Sequence, residues 1–259
     1  MINIKKILIA FLLFFIILFL IFVLFWKPAK RIYTINIFEE VKNRALAQDF
    51  NSGLDNNYWT ITNTGEVFNE ELQYYNPKNI NINNGFLELE AKKEDFEGHK
   101  YTSGSINTKG KFEFQYGKII LRAKPAYGKG LLSAIWLLPA DNSLYPEIDI
   151  LEALGSNNEA WTGVHYVDSN LKHQKNFVTI PIKDEFSIYE VNWEENEISV
   201  LVDNKLIYKT NVGVPDKKMY LIINLSVGGT WLGNPDDATL PSKFLLDYVV
   251  VIPKVVDEK

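Results

Sequence analysis

Beyond residue 48 the chain is written almost entirely in short alternating or apolar runs punctuated by Gly, Asn, Asp and Pro, and that pattern confines it to β architecture. FLELEAK at residues 86–92 sets Leu87, Leu89 and Ala91 on one face of a strand and leaves charged residues on the other. Similar strands are expected at 118–123, 131–138, 148–151, 161–166, 187–193, 198–202, 206–209, 219–227 and 244–252. Asn83-Asn84-Gly85, Asp203-Asn204 and Gly228-Gly229 carry turn chemistry, and Asp203-Asn204 closes a two-residue hairpin. Neither long helical periodicity nor an internal repeat interrupts the series. Short strands at regular spacing predict one all-β antiparallel sandwich or jelly roll of about 200 residues.

The amino-terminal end is built differently. Residues 7–26 are apolar without exception, 20 in succession, and a helix of that length spans about 30 Å, the thickness of a bilayer core. A cleavable signal has a shorter apolar stretch, about 7–15 residues, ending at a small-x-small site. Here the run ends in Phe25, Trp26, Lys27 and Pro28, which favours an uncleaved anchor. The expected organisation is a short cytoplasmic tail (1–6), a transmembrane signal anchor (7–26), a juxtamembrane stalk (27–48) and one folded domain (49–259). In the stalk, Ile37, Val41 and Leu46 fall on a short helical stripe. Lys5, Lys6 and the terminal amine precede the span, and Lys27, Lys30 and Arg31 follow it, so the positive-inside rule chooses no orientation.

Composition removes several classes of function. With 27 Lys and Arg against 32 Asp and Glu the net charge is −5, which argues against a nucleic-acid binder held by a general basic field. The absence of cysteine excludes a disulfide scaffold, a thiolate metal centre and a cysteine nucleophile. An aromatic content of 14% suits sugar stacking and a β-rich core equally well.

The segment that carries chemistry is Tyr145-Pro146-Glu147-Ile148-Asp149-Ile150-Leu151-Glu152. In a regular strand Glu147 and Asp149 share a face while Ile148 and Ile150 point the other way. Glu152 has the wrong parity to join them, and one extra residue at a β-bulge, with Leu151 as the candidate, restores it. Glu147 and Glu152 would then be about 13 Å apart along the strand, and their side chains could bring the carboxyl groups to roughly 5 Å. That is the spacing of a retaining glycosidase rather than the ~6.5–9.5 Å of an inverting one. Asp149 between them opposes ionisation of all three and keeps one glutamate protonated as an acid. A solvated strand face is the plainer reading. Three carboxylates in six residues with no Lys or Arg among them make that face costly to carry passively.

The surrounding segments extend the pattern. They read YTSGSINTKGKFE (101–113), YGKIILRA (116–123), GKGLLSAIWLLP (128–139), PEIDILEALG (146–155), WTGVHY (161–166), YEVNW (189–193), NLSVGGTWLGNP (224–235) and LDYVVV (246–251). In this order and spacing the set resembles family-16 glycoside hydrolases, the laminarinase-like group, over residues 49–253. The resemblance implies a concanavalin-like β-jelly-roll with a cleft across its concave face, cutting internal β-linkages of a polysaccharide with retention. Glu147 then resembles the nucleophile, Glu152 the acid/base, and Asp149 the residue that tunes the nucleophile. The two residues between Asp149 and Glu152 resemble the bulged branch of laminarinases, agarases and carrageenases.

The other site residues follow from the same resemblance, each beside a structural alternative. Trp136 resembles a tryptophan lining the cleft at the cleavage point, or serves as core. Trp231 resembles a sugar-stacking platform lifted by Gly228-Gly229, and Trp161 fits either role. Trp59 and Trp193 read as core. His165 resembles a histidine supporting Asp149, or is a satisfied structural group. Asn69, Glu71 and Gln73 resemble the glycone border of the cleft, or lie on a solvated loop. Asn224 reaches the sugar or caps a turn. The family's structural calcium would fall on Asp247 and the Gly85 carbonyl, and catalysis would need no cofactor.

The expected partners are a polysaccharide, most simply a β-1,3-glucan, and the membrane through the amino-terminal helix, with no nucleic acid and a monomeric catalytic domain. A polymer substrate outside the cell orients the anchor with the domain extracytoplasmic. The rival readings are a catalytically silent, lectin-like module on the same sandwich, a transglycosylase, an agar- or carrageenan-type galactanase, and a structural membrane-anchored protein.

Overall fold

A computed structural model describes residues 46–156 and 159–254. Ten strands form one sheet, in the order β15 (Lys205–Thr210), β14 (Glu197–Val202), β13 (Ser187–Glu194), β8 (Gly117–Lys124), β17 (Ser242–Pro253), β5 (Phe86–Phe96), β6 (His99–Ser103) and β3 (Gln73–Tyr75). β1 (Leu46–Gln48) adds to β17, and β4 (Ile80–Asn83) adds to β5. Seven strands form the other, in the order β12 (His173–Pro181), β11 (Glu159–Val167), β10 (Glu147–Leu154), β9 (Leu131–Pro139), β16 (Met219–Val227), β7 (Ser105–Asn107) and β2 (Thr60–Ile61). Among the described residues the only helical pieces are 3-10 turns at Pro77–Asn79 and Asp237–Thr239. The all-β sandwich expected from the sequence is the architecture found.

The core lies between the inner faces of the two sheets. Period-two alternation sends Leu87, Leu89 and Ala91 of β5 and Ile119, Leu121 and Ala123 of β8 inward to meet Ile135 and Leu137 of β9 and Leu221, Ile223 and Leu225 of β16. Each such Leu or Ile contributes roughly 1.5–3 kcal/mol by leaving water. Trp59 and Trp193 are buried in this core, as the sequence suggested. The turn chemistry also follows the reading: Asp203 (φ 50°) and Asn204 (φ 65°) both take the left-handed conformation that a two-residue hairpin demands between β14 and β15.

The domain boundary needs correction. Leu46–Gln48, assigned to the stalk, pair with Val249–Val251 as β1, and Leu46 is fully buried. Gln48 fixes the following turn, its Nε2 donating to the Gly53 carbonyl and its Oε1 accepting from Asp55 N–H. A three-residue strand is too short to show periodicity, and its partner lies about 200 residues downstream, so local sequence cannot reveal it. Among the described residues no helix is long and apolar enough to cross a membrane. The expected tail, anchor and stalk up to residue 45 lie outside the described residues.

Candidate active site

The carboxylate strand β10 carries a bulge. Against β9, Asp149 sits opposite Trp136 and Leu151 opposite Ile135, which leaves Ile150 as the extra residue. Against β11, Asp149 pairs with Gly163 and Glu152 with Trp161, so three steps on β10 match two on its neighbour. Ile150 and Leu151 both enter the core, and Glu152 returns to the face of Glu147 and Asp149. The sequence proposed Leu151 as the bulged residue; the β9 register assigns it to Ile150. Two consecutive apolar side chains in the core are the signature of the irregularity.

That face floors a cleft of about 570 Å³ on the outside of the seven-stranded sheet. Glu147, Glu152, Trp136, Trp161, His165, Asn69, Asn224 and Trp231 all line it, whereas Gln73, expected on the same border, is fully buried behind it. Trp231 is 43% exposed and meets Trp161 edge-on, with ring centroids 6.1 Å apart. Phe68 meets Trp136 the same way at 6.2 Å. Two glycines allow this rim to form. Gly228 and Gly229 have φ of +66° and +106°, and a Cβ on Gly229 would come within 2.6 Å of the Asn69 carbonyl oxygen. The loop around Asn69 therefore docks on the Trp231 loop, with Thr230 N–H donating to Asn69 O at 2.9 Å.

Asn224 lines the cleft and has a role beyond the two expected. Its Oδ1 accepts from Trp136 Nε1 at 2.7 Å, and its Nδ2 donates to Tyr75 OH and Ser226 Oγ. The amide is buried and its hydrogen bonds fix the ring of Trp136. His165 departs from expectation. Its Nε2 is 3.8 Å from Asp149 Oδ2, beyond hydrogen-bond range, while its Nδ1 lies 2.7 Å from His173 Nε2. Glu71 does reach the cleft, held by Gln73 Nε2 at 2.7 Å, and burial raises its pKa.

The electrostatics follow from burial without compensation. Glu147 is pushed up to about 7 by burial, offset in part by its contact with Asp149. Glu152 is pushed up to about 8, by burial first and the Glu147 charge second, while Lys175 acts in the opposite direction. Asp149, 1% exposed, is driven well above the ordinary carboxylate range by burial and by both glutamates. No N–H or O–H donor among the described residues reaches either Asp149 oxygen. A proton shared with the neighbouring Glu147 carboxyl answers that deficit. His165 falls to about 4 through burial, His173 and Lys175, so it is neutral near pH 7 and supplies no counter-charge. One carboxyl near 7 beside another near 8 provides a base and an acid at neutral pH.

Sequence reasoning missed Phe68, Tyr145, His173 and Lys175. Tyr145 and His173 stack at 4.5 Å, and His165 stacks on His173 at 4.9 Å, making one wall of three rings. Lys175 faces His165 across the β11–β12 ladder, and His165 faces Glu147 across β10–β11. The only available signal was the run of four polar residues at 173–176, and which of them face the cleft depends on a register that no local pattern supplies.

The expected calcium site fits poorly. Asp247 Oδ2 accepts from Arg122 Nη1, so its charge is already matched by a cation of the protein. The described residues hold one group of carboxylates and imidazole arranged like metal ligands, Glu147, Asp149 and His165.

Comparison with known proteins agrees with this geometry. Residues 68–248 match the model of glycosyl hydrolases family 16. The chain is 34% identical over 213 residues to a β-glucanase of Rhodothermus marinus, covering 71% of this chain and 74% of that protein. It is 32% identical over 220 residues to glucan endo-1,3-beta-glucosidase A1 of Niallia circulans, covering 71% of this chain but only 32% of that longer protein. The laminarinase catalytic domain of Thermotoga maritima superposes with a TM-score of 0.72 at 30% identity, covering 83% of this chain and 99% of that domain.

Proposed function

The chain belongs to glycosyl hydrolases family 16, and from that premise we propose that it is a retaining endo-β-1,3-glucanase of the laminarinase type, anchored in a membrane with its catalytic domain extracytoplasmic. The observation that carries the hydrolytic reading is the bulge at Ile150, which turns Glu152 into the cleft that Glu147 already lines. The jelly-roll architecture and the glycoside hydrolase class follow from the family. The choice of β-1,3-glucan is supported by the laminarinase relatives and by the aromatic lining of the cleft.

The reaction is a double displacement. Ionised Glu147 attacks the anomeric carbon while Glu152 gives its proton to the leaving glycosidic oxygen, breaking the C–O bond and forming a glycosyl ester. Glu152, now a carboxylate, takes a proton from water, which attacks the same carbon and releases Glu147. Burial raises both glutamates, and the Glu147 charge raises Glu152 further, so once Glu147 is ionised Glu152 is held protonated. Asp149 stays protonated and supports the Glu147 oxygen that leaves the ester. Asn69, Trp161, His165 and Trp231 hold the sugar chain, and Asn224 keeps Trp136 in place beside the scissile bond. No metal takes part in any step.

Membrane attachment rests on the unbroken apolar run at residues 7–26 and its lysine flanks. Protease treatment of intact cells should remove the domain, and a protected domain would reverse the orientation. Release of reducing ends from laminarin, lichenan, agar and carrageenan tests the substrate. Laminarin should be cut fastest, and Glu147→Gln and Glu152→Gln should abolish cutting while leaving the circular-dichroism spectrum unchanged. Binding without cleavage by the wild-type chain would favour the lectin-like rival.

A further inference from the structure

The same corner of the cleft has the donor set of a metal site. Ligand atoms of Glu147, Asp149 and His165 lie within 4.8 Å of one another. The 3.8 Å gap from His165 Nε2 to Asp149 Oδ2 is too wide for a hydrogen bond. Independently, both oxygens of Asp149 are buried and meet no N–H or O–H donor of another residue type, and the one group that reaches them is the Glu147 carboxyl, through a shared proton whose place a metal ion would take. A first-row divalent ion bound at about 2.0–2.2 Å spaces its ligands roughly 3–4 Å apart, and the 3.8 Å between His165 Nε2 and Asp149 Oδ2 falls in that range. The imidazole is already held for the purpose. His165 Nδ1 lies 2.7 Å from His173 Nε2, and in the tautomer that puts the proton on Nδ1 the Nε2 lone pair is free for the ion, the arrangement in which an outer partner fixes a ligating histidine. Glu147 and His165 both line the open cleft, which gives an ion its path of entry.

We propose that Glu147, Asp149 and His165 bind a divalent transition-metal ion, with Zn2+ the type case, and that the bound ion blocks glycoside cleavage by occupying the attacking oxygen of Glu147. One imidazole and two carboxylates favour Zn2+ or Co2+ over Mg2+ and Ca2+, which prefer oxygen alone. Binding displaces the proton shared by the two carboxyls into solvent and forms metal–oxygen and metal–nitrogen bonds, with no change of oxidation state. Inhibition rests on the hydrolase reading above; ion binding does not.

The full-length chain in detergent, stripped with a chelator, should be titrated calorimetrically with ZnCl2. One Zn2+ should bind per chain, and Co2+ should give the visible absorption of mixed nitrogen and oxygen ligation. Asp149→Asn and His165→Gln should each weaken Zn2+ binding at least about 100-fold, and the outer-partner variant His173→Gln roughly 10-fold. His99→Gln, which removes the remaining histidine, should leave affinity unchanged. Reducing-end release from laminarin by the stripped protein should stop on adding Zn2+ and return with chelator. Absence of stoichiometric binding, or equal affinity in wild type, Asp149→Asn, His165→Gln and His173→Gln, would overturn the site. Site-dependent binding by a stripped protein that cuts no glucan would uphold the metal site and remove the hydrolase reading instead. Because His173 is exposed, its variant keeps the test alive if either buried substitution disturbs folding.

Discussion

Two strands in this molecule each carry one residue too many, and they put it to opposite uses. In β17 the extra residue is Asp247, between Leu246 opposite Ala123 and Tyr248 opposite Arg122. Its carboxylate is met at once by the Arg122 guanidinium, itself laid over the Phe186 ring. In β10 the extra residue is Ile150, which sinks into the core and hands the irregularity on to Glu152. None of Glu147, Asp149 and Glu152 forms an ion pair with Lys or Arg among the described residues. The ten-stranded sheet, by contrast, pairs charges across its strands, as in Lys118–Glu190, Lys243–Glu88 and Lys209–Glu197. A charge beside a bulge is therefore not by itself a sign of function. Burial without compensation is, because it keeps protons on carboxyls at neutral pH.

The contrast can be broken by substitution, and the catalytic glutamates should show the largest effect. Glu152→Gln should lower laminarin turnover by about 10²–10⁴-fold, the usual worth of a positioned acid, and Glu147→Gln by at least as much. Neither should unfold the domain. Asp149→Asn comes next. It keeps the shape of a neutral carboxyl, so the fold should hold, yet it cannot share the proton of Glu147, and kcat should fall about 10²-fold with little change in KM. Persistence of wild-type kcat in Asp149→Asn would remove Asp149 from the mechanism.

The floor of the cleft was legible because strand parity is a local property. Glu147, Asp149 and the misfit of Glu152 can be counted off along six residues, and the misfit calls for a bulge. The choice between Ile150 and Leu151 could not be read, since both are apolar and only the register with β9 separates them. Lys175 and His173 were invisible for a similar reason: they reach the site through β12, which pairs only with β11 at the edge of its sheet. Asn224 was seen, but its hold on Trp136 was not. Its bonds run to Tyr75 and Trp136, which lie 149 and 88 residues away in the chain.

That network gives a smaller prediction. Asn224→Leu leaves Trp136 Nε1 without its acceptor and frees the ring, so kcat/KM should fall about 10-fold, in line with roughly 1–2 kcal/mol for a lost buried hydrogen bond. Tryptophan fluorescence should shift in parallel, and an unchanged emission spectrum would argue that Trp136 is held by packing alone.

Stability sharpens the comparison further. Glu152 titrates near 8 in the folded chain against an ordinary value of 4.5, so the folded state holds the proton more tightly than the unfolded state. Its stabilising contribution is complete below about 4.5 and is lost as pH rises through about 8. Glu152→Gln should therefore match wild type near pH 4 and exceed it in Tm by about 2–8 °C at pH 8. Equal pH slopes would mean the carboxyl is better solvated than its place in the cleft suggests. The compensated bulge should do the least. Asp247→Asn should cost about 1 kcal/mol or less and leave laminarin turnover unchanged.

The central claim is that the bulged strand aims Glu147 and Glu152 at one sugar, which makes the reaction a double displacement. Proton NMR of a laminari-oligosaccharide digest, recorded before mutarotation, reads this directly. The first reducing ends released should be the β-anomer. First release of the α-anomer would show a single inverting displacement and contradict the account.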